Sequence, residues 1–244
     1  MSRILLEVCV DDAAGLDAAV KGGADRIELC SALSIGGLTP SPGLMALAAG
    51  AGVPVYAMIR PRPGNFIFGP VEIGIMRREI DAVRSAGLAG VVLGASLADG
   101  RLDGTALRLL VDHAAGLGLT LHRAFDLVPD VADAVDRAVD LGFERILTSG
   151  GAKRAPDAVD ALSSILAQAG SRISIMPGSG ITPDTIGSLL PQLAVHEIHS
   201  SCSVAEPAQD RRVVELGFAP EETRRTSEEI VRLMKDRLVA FQAL

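Results

Sequence analysis

The sequence has no tryptophan, one tyrosine and six phenylalanines, so aromatic residues make up 3% of its 244 positions. So few rings make a poor platform for stacking nucleotide bases. Positive charge is also short, with 23 Lys plus Arg against 30 Asp plus Glu and a formal net charge of −7. Without a basic footprint, nucleic acid is excluded as the expected partner. Cysteine occurs three times, too few and too odd for a disulfide scaffold, and a reducing, cytoplasmic setting is expected. Lys21, Lys153 and Lys235 are the only lysines. None falls in a predicted strand, which argues against a Schiff-base aldolase.

Long apolar runs are missing too. The longest uncharged stretch, Leu29 to Ile59, is broken by Pro40, Pro42, Pro54 and five glycines. A membrane-spanning helix needs ~20 apolar residues in one run. The amino-terminal run before Asp11 and Asp12 is too short for a signal peptide. What is present is apolar bulk, 48% of the chain. That excludes disorder and fits one domain over residues 1–244.

One phrase recurs: a glycine, a short hinge, then a β-branched run. It appears as Gly23-Ala24-Asp25-Arg26-Ile27, as Gly87-Leu88-Ala89-Gly90-Val91-Val92 and as Gly142-Phe143-Glu144-Arg145-Ile146. Each reads as helix end, tight turn, strand. Strands are predicted to start near residues 4, 25, 53, 89, 119, 144, 172 and 195, separated by stretches of helical spacing. Eight such units in a chain near the usual ~250 residues predict a single (β/α)8 TIM-like barrel. A doubly wound sheet would carry Gly-x-Gly-x-x-Gly after its first strand, and Val10-Asp11-Asp12-Ala13 does not. A long polar loop is expected over residues 203–225, then a last helix opened by a Thr226/Glu229 capping box.

Alternation sends every second side chain of a strand to one face. With Leu6, Val8, Val10, Ile27, Leu29, Val55, Ala57 and Ile59 packed under helices, the barrel interior receives the ionisable residues. Glu7, Cys9, Glu28, Cys30, Arg60, His122 and His199 point inward near the strands' carboxyl ends, where active sites of this fold sit. Arg26, Arg145 and Glu197 fall lower and predict a structural ion layer. Glu7, Glu28, His122 and Asp126 are candidate acids and bases, and His199 a candidate donor to an oxyanion. Thr148-Ser149-Gly150-Gly151 and Gly178-Ser179-Gly180 follow late strands, where barrels commonly bind phosphate. An anion site is therefore predicted from Arg60, Arg62, Arg123, Ser149, Gly150, Gly178, Ser179 and Gly180. The alternative use of Arg60 and Arg62 is to neutralise Glu7 and Glu28.

Several segments together resemble the CutC family: Glu7-Val8-Cys9, Ala24 to Cys30, Gly36 to Ser41, Ile59 to Arg62, Leu121 to Asp126, Arg145 to Gly151 and Glu197 to Ser201. The resemblance implies a cytoplasmic TIM-like barrel, often a homo-oligomer, connected with copper homeostasis. It also implies Cu(I) bound through cysteines, which carries over to Cys9 and Cys30. The chain departs from the family pattern at Pro63, Asn65 and Phe68, where an acidic group and a phenol are usual. It departs again at Cys202-Ser203, where an arginine is common. Two functions follow from these residues. One is a copper-binding protein, since Cu(I) is soft and favours thiolates. The other is an isomerase, epimerase or hydrolase acting on an anionic or phosphorylated small molecule. A vestigial catalytic mouth on a scaffold protein is the third alternative.

Overall fold

Strands and helices alternate from end to end of the computed structural model, which describes residues 3–207 and 210–242. The first half runs β1 (Leu5–Val10), α1 (Ala13–Lys21), β2 (Arg26–Leu29), α2 (Pro42–Ala48), β3 (Val55–Met58), α3 (Pro70–Ala86), β4 (Gly90–Leu93) and α4 (Gly104–His113). The second runs β5 (Gly118–Leu121), α5 (Val131–Leu141), β6 (Arg145–Thr148), α6 (Val159–Ala169), β7 (Ser174–Pro177), α7 (Pro183–Leu189) and β8 (Glu197–Ser200). Each strand begins within two residues of the predicted start. The recurring glycine phrase behaves as read: Gly87 and Gly142 close α3 and α5 at φ 76° and 87°, a left-handed backbone that glycine adopts without strain.

The strands form one parallel sheet in the order β7-β6-β5-β4-β3-β2-β1-β8. β8 ladders onto β1, while β7 and β8 touch, so the sheet rolls into a (β/α)8 TIM-like barrel. Strand parity is as the sequence predicts. Leu6, Val8, Val10, Ile27, Leu29, Ala57 and Ile59 are fully buried in the main core between sheet and helices. Burying each Leu or Ile side chain contributes about 1.5–3 kcal/mol. Inside the barrel the apolar filling is small, with Cys30, Tyr56, Met58 and Val92 in one cluster. The rest of the interior is polar.

Two expectations near the carboxyl end are corrected. Residues 203–225 are not a plain loop. β9 (Ser203–Pro207) and β10 (Glu222–Thr226) pair as an antiparallel hairpin, with α8 (Arg211–Glu215) between them and residues 208 and 209 outside the described set. The cross-strand ladder satisfies backbone groups that the polar composition had suggested were solvated. The last helix, α9 (Glu228–Gln242), is capped by Ser227 rather than Thr226. The Ile230 amide donates to Ser227 Oγ at 3.4 Å, and Thr226 is instead the last residue of β10. Among the described residues, no helix is long and apolar enough to cross a membrane.

Candidate active site at the barrel mouth

The barrel floor is an ion-pair layer. Arg26 donates through Nε to Glu7 and through Nη2 to Glu197 at 2.5 Å. Arg145 donates to Glu197 at 3.2 Å and to Thr120 Oγ1 at 3.0 Å. Both guanidiniums lie over the Tyr56 ring, 5.5 and 4.9 Å from its centroid. Buried charges are tolerated when they are paired in this way. Glu7 belongs to this layer on one side and to the site on the other. Burial alone would raise its pKa, but Arg26 and then the His199 hydrogen bond bring it down to about 2. Glu7 is thereby favoured as an anion, hydrogen-bonded to His199.

Above the floor, Cys9, Glu28 and His199 converge, with their ligating atoms within 4.8 Å of one another. Sheet register sets this. Glu7 pairs with His199 across β1 and β8, and Cys9 pairs with Glu28 across β1 and β2. His199 Nδ1 lies 2.8 Å from Glu7 Oε1, and His199 Nε2 lies 3.7 Å from Glu28 Oε2. Burial pushes the His199 pKa down, yet Cys9, Glu28 and Glu7 together hold it well above the ordinary histidine value. Glu28 moves up, chiefly through burial; His199 opposes the shift and the Glu7 charge adds to it.

Cys30 does not stand level with Cys9. The residue opposite Cys9 is Glu28, so Cys30 sits one inward position higher. Its Sγ is 3.6 Å from Glu28 Oε2, beneath the Gly36–Gly37 turn, and burial together with the Glu28 charge raises its pKa well above normal. Cys202 is also buried, its thiol pushed up to about 11 by burial. All three thiols are free.

A cavity of about 420 Å³ opens above the cluster, lined among others by Cys9, Glu28, Arg60, Phe66, His122 and His199. Three side chains of its wall carry a buried polar atom with no hydrogen-bond partner: Glu28 Oε1, Arg60 Nε and His122 Nε2. Arg60 is fixed by backbone carbonyls, donating to Ile35, Gly37 and Gly64 at 2.9–3.1 Å, which leaves Nε–H over. His122 accepts the Ala124 amide at Nδ1, so the neutral ring carries its proton on the unpartnered Nε2. Burial, assisted by the Arg60 charge, lowers the His122 pKa to about 3 and keeps the ring neutral. Phe66 sits between the two, 4.7 Å from the His122 ring and 5.0 Å from the Arg60 guanidinium. At Gly94 a side-chain methyl would stand 2.5 Å from the His122 ring, so the ring's position depends on that glycine. The sequence reading missed Phe66; an aromatic in the loop after an inward arginine was the available signal.

The predicted anion residues divide. Ser179 and Gly180 line the cavity, as do Arg60 and Arg123. Arg62 does not: it is held at the surface by Glu72 and by the carbonyls of Asn65 and Ile67. Neither Arg60 nor Arg62 neutralises Glu7 or Glu28. Gly178 spends its amide on the Thr148 carbonyl, 2.9 Å away, and packs against Leu147 and His199. The turn after β6 already holds an anion, the Asp126 carboxylate. It accepts from Thr148 Oγ1, the Ser149 amide and hydroxyl, the Gly151 amide and Arg123 Nε at 2.5–3.2 Å, while Gly150 donates to Thr148 Oγ1. Asp126, Ser149 and Gly150 are thereby turned to each other. Arg224, from the hairpin, joins the rim, held by Ser203 Oγ at 2.9 Å. A wider groove of about 800 Å³ lies outside the barrel between α4 and α5, where Asp133 and Arg137 pair with each other.

The CutC family model matches residues 4–204. The chain belongs to the CutC family. A CutC family protein of Rhizobium meliloti is 69% identical over 240 residues, 98% of each chain. One from Caulobacter vibrioides is 56% identical over 231 residues, 94% of each. The CutC crystal structure from Streptococcus agalactiae, whose description proposes a copper homeostasis role, is 32% identical. It superposes with a TM-score of 0.78, covering 81% of this chain and 98% of that one. A thiamine phosphate pyrophosphorylase from Pyrococcus furiosus, at 13% identity and TM-score 0.59, shares the fold alone. Most of the hairpin, Arg224 included, lies beyond the end of the family match at residue 204, although the Rhizobium relative aligns over 98% of the chain.

Proposed function

We propose that the barrel-mouth cavity is the active site of an enzyme that moves a proton on a small, oxygen-rich anion, a carboxylated or phosphorylated metabolite. The observation that carries this reading is the trio of unpartnered buried atoms, Glu28 Oε1, Arg60 Nε and His122 Nε2. An orphaned buried polar group costs about 1–3 kcal/mol, so a fold keeps several together where a ligand completes them. Two N–H donors suit the oxygens of a carbonyl, carboxylate or phosphate. Glu28, its pKa raised, is suited to carry a proton to or from the carbon beside them. His199, oriented by Glu7, faces Cys9 and Glu28 as a second proton donor. Arg123 and Arg224 add positive charge at the rim. The reaction class this supports is isomerisation or epimerisation; the resemblance to the CutC family adds a reducing cytoplasm and a self-associating chain to the proposal. Light scattering tests the last point.

Thermal-shift screening of carboxylated and phosphorylated metabolites tests the reading. A ligand at 100 times its Kd stabilises by about 2.7 kcal/mol, a shift of several degrees. Arg60→Met and His122→Phe should each abolish that shift. A screen without any hit that depends on these two residues would overturn the reading.

Copper binding through Cys9 and Cys30 is the second reading, supported by the family and by the description of the Streptococcus protein. Cu(I) seeks thiolates. The convergent donor set holds one thiol, one imidazole and one carboxylate, and Cys30 is not part of it. That set does not fit a two-thiolate Cu(I) site. Cu(I) uptake under reducing conditions that is unchanged in Cys9→Ala/Cys30→Ala would end the second reading.

A further inference from the structure

We propose that Cys9, Glu28 and His199 form a site for one divalent cation of borderline softness, of the zinc class. The inference goes beyond the ligand reading and gives two of its residues a different use: with the ion bound, Glu28 and His199 are ligands and not proton carriers. Thiolate, imidazole and carboxylate have one common taker among these ions. Zinc accepts all three donor types, whereas Cu(I) favours sulfur and magnesium or calcium favours oxygen. The three donors lie within 4.8 Å of one another, and zinc bonds of about 2.0–2.3 Å reach most of that span. All three are placed by strands in fixed register, so the site is built on the sheet.

Three further observations point the same way. His199 gives Nδ1 to the Glu7 carboxylate and turns Nε2 to the cluster, the arrangement that orients a ligating histidine and raises its basicity. Glu28 Oε1 has no partner among the described residues although Glu28 is only 3% exposed. Charge also favours a cation at the cluster. In the floor, Arg26 and Arg145 are already paired with Glu7, Glu197 and the half-exposed Glu144. Cys9 and Glu28 as ligands then carry two negative charges, which a divalent ion neutralises and Cu(I) does not. Cys9, Glu28 and His199 all line the cavity, so a zinc ion held by these three would keep a position open to water or a substrate oxygen.

The test uses the full chain, stripped of metal by a chelator and titrated with Zn2+ against a chromophoric competitor, with no organic ligand present. We expect one Zn2+ per chain. Affinity should fall by about 100-fold in Cys9→Ser and His199→Gln and by about tenfold in Glu28→Gln, with Cys30→Ser unchanged. With Co2+ in place of Zn2+, the wild type should show thiolate-to-cobalt charge-transfer absorption, absent in Cys9→Ser. Substoichiometric uptake by the wild type, or wild-type affinity in Cys9→Ser, overturns the site. If a variant does not fold, the wild-type cobalt spectrum decides, and absence of the sulfur band overturns the site. The metabolite screen is run on metal-stripped and on metal-loaded protein, so either proposal fails independently of the other.

Discussion

Glu7 and His199 face each other in register across β1 and β8, with His199 Nδ1 2.8 Å from the Glu7 carboxylate, which also holds Arg26. One anion thus ties the ion layer of the floor to the chemistry of the mouth. Replacing it leaves Arg26 uncompensated in the barrel interior. Glu7→Ala should destabilise the fold by about 3–5 kcal/mol, the usual cost of breaking a buried ion pair. Urea unfolding monitored by circular dichroism measures this, and a loss below ~1 kcal/mol would show that the pair is not what holds the floor.

His122 makes the stability of the barrel depend on acid. Its folded pKa of about 3 lies below the unfolded value near 6.5, so in that interval the unfolded chain binds the extra proton. Stability is then fully present above pH 6.5 and declines as pH falls toward 3. Glu7, with a folded pKa of about 2 against 4.5, adds a second loss only below pH 4.5. His122→Gln should flatten the stability profile between pH 6.5 and 4.5 and leave the steeper acid limb. An unchanged slope in that upper window would refute the assignment.

Asp126 separates structure from chemistry. It fills the turn after β6 with five accepted hydrogen bonds, one of them from Arg123. Asp126→Asn should cost about 2–3 kcal/mol of stability, as charge-assisted bonds to backbone amides weaken. Ligand affinity at saturating stability should change by less than about threefold. A ligand-specific loss with normal stability would instead return Asp126 to the catalytic group.

Gly94 is a direct test of the His122 position. A methyl there meets the ring at 2.5 Å, and Phe66 also packs on that ring, tilted, 4.7 Å between centroids. Overpacking of this kind costs about 1–3 kcal/mol. Gly94→Ala should therefore unfold at moderately lower urea and lose the metabolite-induced thermal shift, while Zn2+ binding at Cys9, Glu28 and His199 persists. Loss of both together would show that the two halves of the mouth are not independent.

The fold and half of the site could be read from the chain because alternation within a strand is a local property. Leu6, Val8 and Val10 under helices force Glu7 and Cys9 inward whatever the neighbouring strands do. Stagger between strands is not local, so alternation alone does not show that the barrel sets Glu28, and not Cys30, opposite Cys9. The glycine-rich turns were found but not their occupants. Nothing in Thr148-Ser149-Gly150-Gly151 says that Asp126 folds back into it. Nor does Arg60-Pro61-Arg62 reveal that carbonyls of two loops hold the first arginine and leave only its Nε free. The hairpin of residues 203–226 was masked by its polarity, since neither of its strands has a buried apolar face to mark it.

The contact between Glu7 and His199 joins positions 192 residues apart. During synthesis, the first strand therefore waits for almost the whole barrel before its second neighbour exists. Closing so long a loop is the entropically late step of assembly, rewarded only when both strands dock. The functional cluster consequently forms late in assembly. Its occupancy reports a finished barrel, and a nascent chain lacking β8 carries Glu7 with one side bare.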